Sequence, residues 1–330
     1  CAAALVLAAC DREPEPTPSP TRVSTSTAGV LTRQSIDTAS FEAAPAPGSQ
    51  ARSAGLARAQ VLLDRARFSP GVVDGLGGEN TRQAILAYQE ANDLNATGEL
   101  DQATFDRLVS GDGQPALTDH TLTAEDLAGP FVETIPEDME GKAELETLAY
   151  TSPQEALAER FHMDQDFLEE LNPNARFVAG ETITVAAVSP QELPQAVARI
   201  EIDKAEKSLR AFAENGDLLA FYPASIGSAE MPSLSGSMTV RAVAPRPNYT
   251  YDPARLTNAE TDETLIIQPG PNNPVGAVWI DLSKDTYGIH GTPEPSEIGK
   301  TFSSGCVRLT NWNARQLANS VEPGVAVVFV

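Results

Sequence analysis

The hydrophobic period of the chain changes along its 330 residues, and this limits the folds open to it more than any other feature. Between about 51 and 110, apolar residues recur at helical spacing: Leu56, Ala59, Leu62, Leu63 and Ala66 on one face, then Ala84, Ile85 and Tyr88. Asp101 is placed as the N-cap of a third short helix carrying Phe105 and Leu108. From about 196 onward the period is two, in Arg199–Ile202, Leu209–Ala213, Leu218–Tyr222, Ser237–Val243, Thr264–Gln268, Val278–Leu282 and Val325–Val330. Turns such as Glu214-Asn215-Gly216-Asp217 separate the runs, and helical pattern there is limited chiefly to Trp312–Val321. Two periods in separate stretches predict a multidomain chain: a small all-α module, then a mostly antiparallel β domain over 196–330.

What lies around these blocks differs in composition. Residues 11–50 hold six Pro, six Ser and six Thr with one aromatic, Phe41; this reads as a disordered linker that cannot bury enough apolar surface to offset chain entropy. Residues 111–150 carry ten acids against Lys142, and 111–144 reads as an acidic linker. Over 145–187, Leu145–Tyr150 alternates like a strand and Pro153–Phe161 and Gln165–Leu171 read as helices. Val178–Val185 then closes the stretch with a turn and a strand, a small α/β module.

The net charge of −23 argues against electrostatic attraction to nucleic acid, and the 41% apolar share excludes full disorder. His120, His162 and His290 lie far apart, and Cys1, Cys10 and Cys306 match no cysteine-type zinc spacing, so no metal or other cofactor is expected. Residue 1 is Cys rather than Met and residues 2–9 are short and apolar, so 1–10 reads as a truncated signal segment, too short to span a bilayer. Leu7-Ala8-Ala9-Cys10 resembles the bacterial lipoprotein lipobox, which implies a lipid on Cys10, a membrane anchor and a place in the bacterial envelope facing the periplasm. An ordinary secretory signal cleaved nearby is the alternative.

The chemistry-bearing residues cluster late. Tyr287-Gly288-Ile289-His290-Gly291 precedes Phe302-Ser303-Ser304-Gly305-Cys306-Val307-Arg308-Leu309, so the one cysteine outside the leader follows the one histidine of the β domain. A free thiol is mostly protonated at neutral pH, and a nucleophilic cysteine needs a nearby base; His290 is the available one. Gly305 permits a tight turn through which the N–H groups of Gly305 and Cys306 can converge on an oxyanion. That outlines an acyl-transfer site.

Ile289-His290-Gly291 with Ser303-x-Gly305-Cys306-Val307-Arg308 resembles the L,D-transpeptidase catalytic domain of the YkuD type, a β-sandwich. The resemblance extends through Tyr222-Pro223-x-Ser225-x-Gly227, Gly270-Pro271-x-Asn273-Pro274-x-Gly276, Trp279-Ile280 and Thr310-Asn311-Trp312. It implies that Cys306 attacks the third residue of a peptidoglycan stem tetrapeptide, releases D-alanine and forms a thioester. A second stem's amine then resolves this to a 3→3 cross-link. His290 is the implied base, with a backbone carbonyl beside it, in the neighbourhood of Gly291, as third member. Arg308 is implied to shape the site or hold a carboxylate. Ser304 stands where many relatives have a second histidine, and its hydroxyl remains able to meet substrate.

Upstream, Asp74-Gly75, Gly78, Thr81, Ala84-Ile85, Tyr88-Gln89, Asn92, Leu94, Thr97-Gly98, Leu100-Asp101 and Thr104 make 51–110 resemble the peptidoglycan-binding three-helix module. Glu155-Ala156-Leu157-Ala158, Phe161, Leu168, Leu171-Asn172-Pro173, Gly180 and Ile183 make 145–187 similar to a LysM module, with Ser152-Pro153 in place of the usual Gly-Asp. Stem peptides and glycan are thus the implied partners. Two other readings are a non-catalytic tether between membrane and wall, and an L,D-carboxypeptidase using water as acceptor. A papain-like peptidase is disfavoured, because there cysteine precedes histidine.

Overall fold

The computed structural model describes residues 31–42, 49, 51–227, 236–255, 259–301 and 305–330. The signal segment, Cys10 and Ser304 lie outside them.

The first element among the described residues is α1 (Arg33–Asp37), inside the stretch read as disordered linker, and the structure corrects that reading here. The Thr32 side chain and Ser35 form a reciprocal capping box, and Ile36 is fully buried beneath Ala57 and Val61. A local cap and one apolar anchor order a short Pro-free stretch that average composition masks. α2 (Ala54–Arg65), α3 (Glu79–Ala91) and α4 (Gln102–Gly111) form the helical module. Leu56, Ala59, Leu62, Leu63, Ala84, Ile85, Tyr88, Phe105 and Leu108 fill its core, as their spacing predicts, and Asp101 caps α4 through Thr104 N at 2.7 Å. Two buried glutamines fix its loops. Gln60 Oε1 accepts from Asp74 N and Gly75 N, and Gln89 Oε1 accepts from Thr97 N and Gly98 N, so each turn hangs on one side chain.

β1 (Leu117–Thr121), α5 (Met139–Glu144), α6 (Pro153–Arg160), α7 (Gln165–Leu171) and β2 (Thr182–Ala186) follow. The sequence predicts strand, helix, helix, strand beginning at Leu145; the structure has a further helix, α5, ahead of the two expected ones, and the first strand is not Leu145–Tyr150. It is β1, from within the supposed linker, antiparallel to β2 with Leu117 opposite Ala186. Leu145–Tyr150 alternates because it packs on the catalytic domain: Leu148 N donates to Pro269 O and Leu148 O accepts from Asn272 N. Gly270 lies against the Leu148 backbone, where a Cβ would have no room.

The C-terminal domain comprises β3 (Arg199–Asp203), β4 (Ser208–Phe212), β5 (Leu218–Pro223), β6 (Gly236–Pro245), β7 (Tyr249–Tyr251), β8 (Leu265–Ile267), β9 (Val278–Leu282), β10 (Gly288–His290), β11 (Val307–Arg308), α8 (Asn311–Ala318) and β12 (Ala326–Phe329). One sheet runs β11-β10-β9-β6-β12-β3-β4-β5, antiparallel except for β10–β11 and β3–β12. β6 makes it curl. Its first half pairs with β12, its second with β9, and the register shifts between Val240 and Ala242. Beyond β5, Ser225 exchanges both backbone hydrogen bonds with Arg308 of β11, at 3.0 and 2.9 Å, so the two ends of the curled sheet meet. Ile200, Leu209, Ile280, Ile289, Val307 and Val327 fill the interior, with Leu317 of α8. β7 and β8 form a separate antiparallel hairpin.

The units share their packing. Ser69 N donates to Phe221 O and Phe221 N to Arg67 O, so the helical module covers the outer edge of β5. The Phe221 ring is fully buried within that module's core. Asp64 of α2 and His162, between α6 and α7, meet at 3.0 Å with both side chains buried, and the imidazole stacks on Trp312 of α8 at 5.1 Å between ring centroids. Burial pushes the Asp64 carboxyl up, but His162 and the Ser189 N–H hold it below the usual carboxylate range.

Candidate active site

Register decides which side chains share a face. Ile289 pairs with Val307 and His290 with Arg308 in the parallel β10–β11 ladder, and His290 opposes Trp279 across β9–β10. Ile289, Val307 and Ile280 point into the core, so period two turns Trp279, His290 and Arg308 to the opposite face. Cys306, one residue ahead of β11, falls on that same face. The structure therefore sets His290 of β10 beside Arg308 of β11, with Gly291 just after the one strand and Cys306 just before the other, in two short strands that the sequence pattern does not show.

The imidazole of His290 is held at one ring nitrogen and on one face. Its Nδ1 lies 2.7 Å from the Gly291 carbonyl, an acceptor, so Nδ1 carries a proton and donates it there. In the neutral ring this leaves Nε2 as the free base. The Trp279 ring stacks on the imidazole with centroids 5.3 Å apart, and Gly288 makes room for that ring, since a Cβ there would strike it. Burial pushes His290 down to about 4, with Arg308 adding to the effect and the Gly291 and Val275 carbonyls opposing it. The ring is neutral at physiological pH.

Cys306 is reduced and half-buried, and its Sγ approaches the Thr286 carbonyl at 3.7 Å. Burial pushes the thiol up, while a hydrogen bond at the Gly288 backbone and the Arg308 charge pull it back. Thr286, a β-branched residue, sits at φ +63°, a conformation unusual enough to mark a constrained site. Gly305 has φ +117°, which glycine alone adopts readily. The Arg308 backbone is clamped by Ser225, while its buried Nε has no hydrogen-bond partner among the described residues.

Sequence reasoning missed Tyr249 on β7. Its phenol is pushed up first by burial, then by the charges of Tyr251 and Cys306, and Arg308 opposes this, so Tyr249 lies within electrostatic reach of both. Nothing in the local pattern marks β7, a three-residue strand. It missed Glu159 of α6 as well. This buried carboxylate accepts from Asn311 Nδ2 at 2.7 Å, Arg315 Nη1 at 2.9 Å and Tyr150 OH at 2.5 Å. Asn311 Oδ1 in turn accepts from Ala277 N at 2.8 Å and packs against Gly291, the residue whose carbonyl holds His290. Among the described residues no group of three or more His, Cys, Asp or Glu is placed to hold a metal ion.

Residues 197–330 match the YkuD family, described as an L,D-transpeptidase catalytic domain, and residues 52–108 match a family described as "Putative peptidoglycan binding domain". The chain is 31% identical over 179 residues to the protein named "Putative L,D-transpeptidase YkuD" of Bacillus licheniformis, covering 52% of this chain and 90% of that protein. Its namesake in Bacillus subtilis is 30% identical over 177 residues, again covering 52% and 90%. Among solved structures, L,D-transpeptidase 3 of Mycobacterium tuberculosis aligns at 13% identity with a TM-score of 0.35, over 47% of this chain and 76% of that one. With a reduced cysteine and a neutral histidine on one face of a curled sheet, and with this coverage of its relatives, the chain belongs to the L,D-transpeptidase family of acyltransferases.

Proposed function

We propose that this protein is a cysteine-dependent L,D-transpeptidase that forms 3→3 cross-links between peptidoglycan stems. Cys306 Sγ attacks the carbonyl of the third residue of a donor tetrapeptide. The thiol and imidazole are both neutral at rest, so the Sγ proton passes to His290 Nε2 as the S–C bond forms. The N–H groups of Gly305 and Cys306 hold the oxyanion, with Ser304 and Gly291 shaping its surroundings. His290 returns the proton to the leaving nitrogen, the C–N bond breaks and D-alanine departs, leaving a thioester. An acceptor amine attacks that thioester, gives a proton to His290 and restores the thiol. Arg308 binds a carboxylate of the stem, a role suited to its planar guanidinium and to an Nε with no hydrogen-bond partner among the described residues.

The observation that carries this reading is the Nδ1 contact of His290 with the Gly291 carbonyl at 2.7 Å, which leaves Nε2 as base on the face shared with Cys306. The helical module over 51–110 holds the enzyme to the wall. We assign the same task to the unit of β1, α6, α7 and β2, similar to LysM, and place the protein in the envelope, anchored by lipid on Cys10. Purified disaccharide-tetrapeptide tests the reading: wild type releases D-alanine and yields a 3→3 dimer, and Cys306→Ala yields neither. Tripeptide without dimer would assign a carboxypeptidase. Wall binding without any product would assign a tether.

A further inference from the structure

Between α6 and the catalytic domain lies a cleft of about 600 Å³ that the chemistry at Cys306 does not use. Phe131, Tyr150 and Leu157 form one wall, and Pro271 and Ala277 the other, so its sides are apolar. Three guanidiniums converge on it, from Arg160, Arg246 and Arg315, in a chain whose acids outnumber its bases two to one. Two of them are already paired: Arg160 with Asp126 at 2.6 Å and Arg315 with Glu159 at 2.9 Å. Arg246 is different. It is exposed and forms no ion pair among the described residues, and its backbone is held at φ +52° by a hydrogen bond from its N–H to Ala277 O at 3.0 Å. A non-glycine residue held in the left-handed region of a cleft lip is a recurrent feature of ligand clamps. Glu125, also exposed, lines the cleft as well.

We propose that this cleft is a second subsite for the wall polymer, and that it takes a carboxylate-bearing muropeptide segment. Its carboxylate sits on Arg246 and its apolar faces lie against Phe131 and Pro271. Size and position suit this, since ligand clefts of several hundred Å³ commonly form between packed units. A guanidinium with no acidic partner among the described residues is the group expected to select a carboxylate. Glu125 provides an acceptor for an ammonium or hydroxyl of the same segment. The cleft also adjoins the reacting centre. Its floor, Gly270 to Ala277, is the stretch that backs His290: the imidazole meets the Val275 carbonyl, and Gly276 packs directly on Gly291. A segment held there lies one backbone layer from the base, so the inference rests on the transpeptidase reading for the identity of its polymer.

The test uses the full chain carrying Cys306→Ala, labelled at Ala and Leu methyls and titrated with purified disaccharide-tetrapeptide. The Ala149, Ala156, Leu157 and Ala277 methyls are expected to shift and saturate. Arg246→Glu should weaken that binding at least fivefold, while Arg241→Glu, a reversal of an exposed guanidinium on β6, leaves it unchanged. In the Cys306 protein, Arg246→Glu should raise KM for the donor at unchanged kcat. Unshifted cleft methyls, or equal affinity in Arg246→Glu, would overturn the proposal, as would an equal response to uncharged chitobiose. The binding readout needs no turnover. A wild type that releases no D-alanine therefore refutes the acyl-transfer reading without touching the cleft, and turnover with silent cleft methyls refutes the cleft alone.

Discussion

At the scale of single residues, burial keeps both members of the proposed thiol–imidazole pair neutral at rest. His290 is pushed down to about 4 by burial while Cys306 is pushed up, so no thiolate–imidazolium pair is stored at rest. NMR titration of the folded protein should show His290 protonating near pH 4; a midpoint near 6.5 would contradict the burial argument. The sign for stability follows. An unfolded chain takes up the proton near 6.5 and the folded one near 4, so stability attributable to His290 is complete above about 6.5 and is lost progressively as pH falls to about 4. His290→Gln should flatten that part of the denaturation profile between pH 7 and 5. His290→Ala should slow D-alanine release by about 10²- to 10⁴-fold, the usual contribution of a positioned base. Cys306 and His290 were legible as residue types and motifs. The Thr286 carbonyl, which meets the thiol from a turn, and Tyr249, on a three-residue strand, were not, because neither leaves a periodic trace.

At the scale of elements, helix spacing and caps read correctly wherever the stabilising partner is local. The α2–α4 faces, the Asp101 cap and the long strands of the curled sheet belong to this class. Errors arose where the partner is distant. Leu145–Tyr150 alternates because it is wedged against Pro269 and Asn272, whereas β1 fully buries only one of its five residues and reads as polar linker. The same long-range logic ties α6 to the proposed site, because Glu159 holds Asn311, which holds the Ala277 N–H and packs on Gly291 beside His290. Glu159→Ala removes a buried acceptor from three donors and should cost about 2 kcal/mol of stability, together with a fall in kcat larger than any change in KM. Glu159→Gln, which keeps an acceptor for Asn311, should recover most of kcat. Equal kcat in wild type and Glu159→Ala, measured well below the melting temperature, would confine Glu159 to a structural role.

At the scale of the whole molecule, the modules are not beads on a string. The Phe221 ring of β5 is buried in the core of the helical module, residues 67–69 cover the edge of that strand, and Asp64, His162 and Trp312 join three units in one stack. A β domain cut out at 197–330 would expose Phe221 and an unpaired strand edge, so it should aggregate or melt well below the full chain. Phe221→Ala should cost about 3–5 kcal/mol, and calorimetry of residues 31–330 should show one cooperative transition. Separate transitions for the helical module and the β domain would refute this coupling. In the proposed function this packing sets the distance from the peptidoglycan-binding module to the thiol, a property of the assembly that no single motif announces.

The most direct test of the account is intact-protein mass spectrometry of the full chain mixed with purified disaccharide-tetrapeptide and quenched in acid. The account predicts a covalent adduct equal to the donor minus D-alanine, mapped by digestion to Cys306, absent in Cys306→Ala and discharged by an added acceptor stem. Release of D-alanine with no adduct on Cys306, or the same adduct in Cys306→Ala, would contradict it.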